Sequence, residues 1–295
     1  MSQKKLIVIL GPTASGKTDL SIKLARQFNG EIISADSRQV YKGLDIGSGK
    51  VTKKEMAKIP HHLLDVANPK RIFSVAQYQK QALRAIKKIQ KNNHLPFLVG
   101  GTGFYIQSIV DGIVFPDVKP NTKLRKDLGK KSTSELFLML SELDPERAKK
   151  IDGKNPARLI RALEIVLQTK KPVPQIIARA EFKTLQLGIK KSKSELQKLI
   201  AKRLQKRVVG IIKEVKKLHV QGLSFKRLEQ LGLEYKYTAL YLQKKIDKAE
   251  MINLLQKEIE HFAKRQMTWF KKNTQIHWIK NENQAKKLIS KFLKS

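Results

Sequence analysis

"KKLIVILGPTASGKTDLSIKLARQF", residues 4–28, decides how the rest of the chain is read. It opens with an apolar run, Leu6 to Leu10, of the kind a strand buried on both faces requires. It closes by spacing Leu20, Leu24 and Phe28 along one face of a helix. Between the two lies GxxxxGK[ST]. Gly11 and Gly16 let the backbone wrap an anion with its amides inward, and the start of the helix adds partial positive charge. Lys17 is placed to neutralise terminal phosphate oxygens, and the Thr18 hydroxyl to ligate Mg²⁺. An empty glycine turn has no use for the Lys-Thr pair. Gly11, Pro12, Thr13, Ala14, Ser15, Gly16, Lys17 and Thr18 are therefore expected to hold a phosphate chain.

Further along, "GEIISADS" predicts a second short strand, Glu31 to Ser34, that delivers Asp36 and Ser37 at its carboxyl end, where open α/β sheets bind ligands. "SVAQYQKQALRAIKKIQK", Ser74 to Lys91, is an amphipathic helix with a serine N-cap. "LPFLVGGTGFYIQSIV" is a buried strand entering a glycine-rich turn and a helix. These elements predict an α/β fold with a P-loop NTPase-like core, a parallel sheet flanked by helices. From about Phe115 the chain becomes charged and broken by prolines, and a mainly helical insertion over 116–182 is expected, dividing the core into 1–115 and 183–295. Within it, "NPARLIRALEIVLQTKKP" is a helix with Pro156 near its start and Pro172 closing it. "LQLGI", 185 to 189, returns to the sheet, and the remainder is mostly helix, ending near a possible strand "QIHWIK".

The chain carries 61 Lys+Arg against 25 Asp+Glu, a formal charge of +36, over 295 residues. A field of that size attracts polyanions and makes association sensitive to salt, so nucleic acid leads the partner classes; solvated, lysine-decorated helix faces are the competing reading. No apolar run approaches the ~18 residues a membrane span needs. With no cysteine, disulfides and thiolate zinc sites are excluded, and the six histidines show no paired metal spacing. A monomer in the cytoplasm is the expectation.

Read alone, the phosphate loop proposes ATP, and with it a nucleotide kinase or an ATPase. Such an enzyme commonly holds its magnesium with a carboxylate at the end of a later apolar strand. "LPFLVGG" ends in glycines and carries none, which counts against an ordinary ATPase and leaves small-molecule kinases open. "ISADSRQVYKGLDIGSGK", residues 33 to 50, packs an acid, hydroxyls, an arginine and an amide just past a strand end; alternatively Asp36 only caps a turn.

"GPTASGKT", "ISADSRQVYKGLDIGSGK", "PHHLLDV", "FSVAQYQ", "LVGGTGFYIQSI", "NPARLIRALEI" and "AKRQMTWF" occur in the order found in tRNA dimethylallyltransferases, or tRNA isopentenyltransferases, and residues 6 to 280 resemble that family. The resemblance implies transfer of a dimethylallyl group from its diphosphate to the exocyclic amine of the adenosine 3′ of the anticodon in tRNA. The loop then grips the diphosphate of the prenyl donor with Mg²⁺, and Asp36 is the general base that takes the amine proton as the new C–N bond forms. Thr13 lies near the reacting end of the donor, and Arg203 approaches the diphosphate. Ser37, Arg38 and Gln39 line the adenine site and Thr102 contacts the target nucleotide. Arg158 and Arg161, at i and i+3, face one anion on the tRNA. Arg265 and Gln266 are a polar pair able to brace the site, and Trp269 and Phe270 are read as core. The chain departs from the family at Glu234, before Tyr235 and Lys236, where glycine is common, and at Leu199, where arginine is frequent. The family's eukaryotic zinc finger is absent, which points to the bacterial type. A P-loop kinase and a non-catalytic RNA-binding ATPase remain as readings from other classes.

Overall fold

The computed structural model describes residues 4–175 and 177–295. The strands are β1 (Lys4–Leu10), β2 (Gly30–Ala35), β3 (His61–His62), β4 (Leu95–Gly100), β5 (Ile113–Val114), β6 (Ile177–Ala178), β7 (Phe182–Ile189) and β8 (Ile276–Ile279). The helices of the first part are α1 (Lys17–Gln27), α2 (Lys53–Met56), α3 (Val75–Lys91) and α4 (Gly103–Val110). They are followed by α5 (Thr122–Leu128), α6 (Thr133–Leu143), α7 (Pro145–Lys150) and α8 (Pro156–Thr169). The last five are α9 (Lys193–Val220), α10 (Phe225–Gln230), α11 (Leu233–Leu242), α12 (Lys248–Phe270) and α13 (Glu282–Lys294). Two compact units result, Met1–Gly112 with Ala180–Ser295, and Ile113–Arg179.

In the larger unit one six-stranded sheet has the order β3-β2-β4-β1-β7-β8, and every pairing in it is parallel. The apolar run of β1 explains its central place: Leu6 to Leu10 are all 0–1 % exposed because helices cover both faces. Leu6, Val8 and Leu10 point to the face packed by Tyr78, Ala82, Ile86 and Ile89 of α3. Ile7 and Ile9 point the other way, to Ile22, Leu24 and Ala25 of α1 and to Ala285 and Ile289 of α13. Truncating one of these β1 side chains to alanine costs about 2–5 kcal/mol. The Ser74 cap of α3 is a full capping box: Ser74 Oγ accepts from the Gln77 amide and Gln77 Oε1 from the Ser74 amide.

The α/β fold and its parallel sheet are as expected from the sequence, with local differences. β2 is one residue longer at each end than Glu31 to Ser34. β7 starts at Phe182 rather than Leu185, because Lys4–Leu6 of β1 continue the ladder to Phe182–Thr184. α13 was not anticipated; Ala285 and Ile289, four apart, give it the buried face that holds it on the sheet. Among the described residues no helix is long and apolar enough to cross a membrane.

The smaller unit is helical, α5 to α8 closed by the antiparallel ribbon β5–β6. Both of its edges lie three residues before the expected 116 and 182. The ribbon is the reason, pairing Ile113 with Ala178 and Val114 with Ile177 across the neck. Leu136, Leu140, Leu159 and Leu163 make its core. Beside that core Glu164, 0 % exposed, takes Arg125 as a two-pronged pair at 2.7 Å on each oxygen, Arg161 at 2.5 Å and the Asn121 amide at 2.7 Å. Burial opposes ionisation, yet these donors win and hold the Glu164 carboxyl down at about 2.

Candidate active site

The phosphate loop leaves β1 at Leu10 and enters α1 at Lys17. Ala14 (φ 60°) and Gly16 (φ 88°) are left-handed, the alternation that turns successive amides into an anion-binding nest. A left-handed alanine costs about 1 kcal/mol or more, strain of a kind that gathers at ligand sites. The Ser15 hydroxyl, on a residue only 4 % exposed, has no hydrogen-bond partner among the described residues. Lys17 Nζ donates to the Pro12 carbonyl of its own loop at 2.6 Å. Burial pushes the Lys17 ammonium down from 10.5 to about 8, with Asp36 pulling it back up and Arg203 adding to the fall.

Asp36 follows β2. Its Oδ1 accepts from the amides of Arg38 (2.8 Å) and Gln39 (3.3 Å), so the carboxylate does make the tight turn that a cap reading proposes. Both bonds fall on Oδ1, and among the described residues Oδ2 takes none. Thr102, the N-cap residue of α4, accepts the Ser37 amide on Oγ1 at 3.0 Å and donates its own amide to the Ala35 carbonyl. Gln39 bridges Ser34 Oγ (3.1 Å) and the Gly49 carbonyl (3.3 Å). Gln266 braces the site from α12: its Oε1 accepts the Thr13 amide and its Nε2 donates to the Gly101 carbonyl, each at 2.8 Å. Asp36, Thr13, Lys17, Arg203 and Thr102 thus gather at the carboxyl edge of the sheet.

The opposite wall is α9, whose Ile200, Leu204 and Ile211 face the core while Arg203, Arg207 and Glu214 fall on the adjoining strip. Arg203 Nη1 donates to Thr13 Oγ1 at 3.3 Å and Arg207 Nη2 to the Gly47 carbonyl at 3.1 Å. Burial, then the neighbouring Arg203 charge, lowers Arg207 to about 10 against the pull of Glu234, Tyr235 and Glu214. Glu214 captures three consecutive amides, Asp45 (3.0 Å), Ile46 (2.6 Å) and Gly47 (2.9 Å), together with the Tyr235 hydroxyl (2.9 Å). That clamp fixes the "DIGSGK" loop over the two arginines. Gly49 has a left-handed backbone (φ 64°) that favours glycine, and a β-carbon there would push the Arg203 guanidinium aside. A narrow pocket remains, lined by Thr13, Ala14, Ile200, Leu204 and Ile259 with Arg203, Arg207 and Glu234. Burial raises the Glu234 carboxyl above its ordinary range despite the facing arginines.

Two sequence expectations change. Arg158 and Arg161 do not share one anion: Arg161 is committed to Glu164 and the Val118 carbonyl, while Arg158 lies 3.7 Å from Asp152. Trp269 is not core. It is 40 % exposed, whereas Phe270 beside it is buried as expected. Arg207, Glu214 and Tyr235 were missed; the available signal was charge at 203, 207 and 214 along the edge of an otherwise apolar helix face. Among the described residues no cluster of three or more His, Asp or Glu could hold a metal. The exposed Thr18 hydroxyl at the start of α1 is the side-chain oxygen that could ligate a Mg²⁺ ion in a phosphate loop of this kind.

An all-parallel sheet whose first strand opens into a phosphate nest, facing one half-bonded carboxylate and three crowded cations, defines an α/β protein of the phosphate-loop class. Residues 39–273 match the family described as IPP transferase. The chain is 39 % identical over 300 residues to a tRNA dimethylallyltransferase of Halothermothrix orenii, covering 98 % of this chain and 92 % of that one. It is 41 % identical over 284 residues to tRNA dimethylallyltransferase 2 of Treponema denticola, covering 92 % and 95 %. It is also similar to the solved full-length tRNA isopentenylpyrophosphate transferase of Bacillus halodurans, with a TM-score of 0.74, 34 % identity and coverage of 99 % and 96 %. A eukaryotic dimethylallyltransferase captured acting on tRNA gives a TM-score of 0.78 at 28 % identity, over 90 % of this chain and 70 % of that one. The chain belongs to the IPP transferase family.

Proposed function

We propose that this protein transfers a dimethylallyl group from dimethylallyl diphosphate to the exocyclic amine of the adenosine 3′-adjacent to the anticodon of tRNA, as a monomer in the cytoplasm. The observation that carries the reading is Asp36: one carboxylate oxygen is pinned by two amides and the other takes no bond among the described residues, on the same sheet edge as the phosphate nest. The loop amides, Lys17, Arg203 and the Ser15 hydroxyl hold the diphosphate. Bound Mg²⁺ on Thr18 would neutralise charge on the leaving diphosphate. The adenine amine attacks the allylic carbon, the C–O bond to the diphosphate breaks with its electron pair on oxygen, and the amine proton passes to Asp36 Oδ2. Lys17 and Arg203 act where charge grows, on the departing oxygen, which is where fixed cations accelerate a reaction most. Gln266 keeps Thr13 and the loop in register with Gly101. Ser37, Arg38, Gln39 and Thr102 receive the extruded base. In the smaller unit Arg158, loosely paired, is the better tRNA contact, because Arg161 is held by Glu164 and the Val118 carbonyl.

A kinase reading is the weaker one, since β4 ends at Gly100, followed by Gly101, with no carboxylate to position a metal for γ-phosphate transfer. The test is incubation with Mg²⁺, labelled dimethylallyl diphosphate and unmodified tRNA. Label should enter the tRNA; ATP hydrolysis with no label in RNA would sink the reading. Asp36→Ala should abolish transfer while tRNA still binds, and equal loss of both would make Asp36 structural.

A further inference from the structure

Trp269 stays out of the core that Phe270, the next residue, enters. α12 buries Leu255, Ile259, Ala263, Gln266 and Phe270 on one side, and the opposite side presents a shallow pocket of about 420 Å³ lined by His261, Lys264, Arg265, Thr268, Trp269 and Lys272. That volume lies within the range of small-ligand clefts, about 300–1,000 Å³. Acidic side chains are absent from its lining. The pyrrole edge of the Trp269 indole lies against Gly103, so closely that a β-carbon there would collide with it. Gly103 directly follows Thr102, whose hydroxyl holds the Ser37 amide beside Asp36. The next residue, Phe104, is 39 % exposed. A cationic helix face alone is an ordinary solvated surface. A large aromatic kept on that face, anchored along one edge and open elsewhere, is the arrangement that single-stranded RNA binders use, with bases on aromatic rings and phosphates on lysine and arginine.

We propose that Trp269 is the stacking platform for an unpaired nucleotide next to the target adenosine, with Lys264, Arg265 and Lys272 holding the phosphates around it. This rests on RNA being the substrate. The Gly103 contact puts the platform one residue from Thr102, so a base stacked there continues the strand whose neighbour is extruded toward Asp36. Nothing in the pocket reads a base edge through a fixed acceptor pair, so the platform tolerates any base and contributes affinity and strand direction.

The chain has two tryptophans, and Trp278→Phe leaves Trp269 as the only reporter. Its fluorescence should be quenched by unmodified tRNA, saturating over the concentrations that saturate transfer, and not by a blunt RNA duplex of equal charge. No quenching, or equal quenching by the duplex, overturns the proposal; so does a change produced by raising the protein concentration alone, which would mean a second copy covers the face. Independently, Trp269→Ala should raise KM for tRNA about tenfold, a typical value for one base–aromatic stack, with KM for dimethylallyl diphosphate unchanged. Trp269→Phe should recover most of the loss. A Phe variant as impaired as the Ala variant, or an Ala variant equal to the parent, also overturns it. Parent protein assayed alongside separates the two ideas: failure to label tRNA at all strikes the proposed function, and labelling without any Trp269 effect strikes only this inference.

Discussion

Two groups of cations in this molecule are treated in opposite ways. In the smaller unit Arg125 and Arg161 close on Glu164, so that both carboxylate oxygens are filled and the acid is ionised down to about 2. At the phosphate loop Lys17, Arg203 and Arg207 form no ion pair among the described residues, although Asp36 pulls on Lys17 and Glu234 and Glu214 on Arg207: burial still forces the Lys17 ammonium down to about 8 and the Arg207 guanidinium to about 10. The first network is complete without a ligand and belongs to stability. The second leaves its cations without a paired carboxylate, and in the proposed reaction the donor's diphosphate would offset that cost.

The strongest way to break that contrast is Lys17→Met. Transfer should fall about 10³-fold, the scale of removing one electrostatic stabiliser of a leaving group. The melting temperature should hold or rise, because a disfavoured charge has gone. A large loss of thermal stability with activity kept would mean that Lys17 is a structural cation after all. Glu164→Gln should do the reverse. Leaving Arg125 and Arg161 uncompensated should cost about 3 kcal/mol, the lower end of the range for breaking a buried pair since both arginines reach solvent. Urea unfolding measures it, and affinity for dimethylallyl diphosphate should stay unchanged.

Glu214→Gln tests the boundary between the two kinds of network, for Glu214 is satisfied like Glu164 yet serves the hungry site. Losing charge-assisted bonds to three amides should loosen the Asp45–Gly47 turn above Arg203 and Arg207. About a tenfold fall in kcat is expected, near 1.4 kcal/mol, with the fold intact by circular dichroism. Unchanged kcat would mean that the arginines hold their places without the clamp.

The same contrast explains what the sequence could reveal. The β1 run, the nest glycines and the period of α3 are local patterns, each set by backbone geometry within a dozen residues, so the parallel sheet and the phosphate loop were legible. Asp36 was legible as a carboxylate at a strand end, while its role as base came from the family resemblance. The clamp was not: Glu214 and Tyr235 meet residues 45–48 across more than 150 positions of chain, and only tertiary folding aligns them. Arg161 misled for a related reason. At i and i+3 it pairs with Glu164 on its own helix, and a contact available inside the chain wins over one reserved for a partner. Trp269 and Phe270 look alike in sequence, and only the packing of α12 separates a buried ring from an exposed one.

The smallest effect is a shift in pH dependence, and its sign follows from Lys17. The ammonium is charged below about 8 in the folded protein, against 10.5 as its ordinary value. Since the charged form holds the diphosphate, kcat/KM should be full below pH 8 and decline as pH rises through it, reporting the free enzyme. A bound diphosphate restores the missing negative charge and raises Lys17 again, so the limb in kcat should lie at higher pH than the limb in kcat/KM. Stability should move the other way. Between about pH 8 and 10.5 the unfolded chain still binds the lysine proton that the folded protein has released, so folding gains stability as pH rises across that window. Direct titration with inorganic diphosphate isolates the group from the RNA: affinity should weaken above pH 8 in the parent and stay level in Lys17→Arg. A parent whose diphosphate affinity is flat to pH 9.5 would show that the crowding of cations at the loop is already relieved before the anion binds.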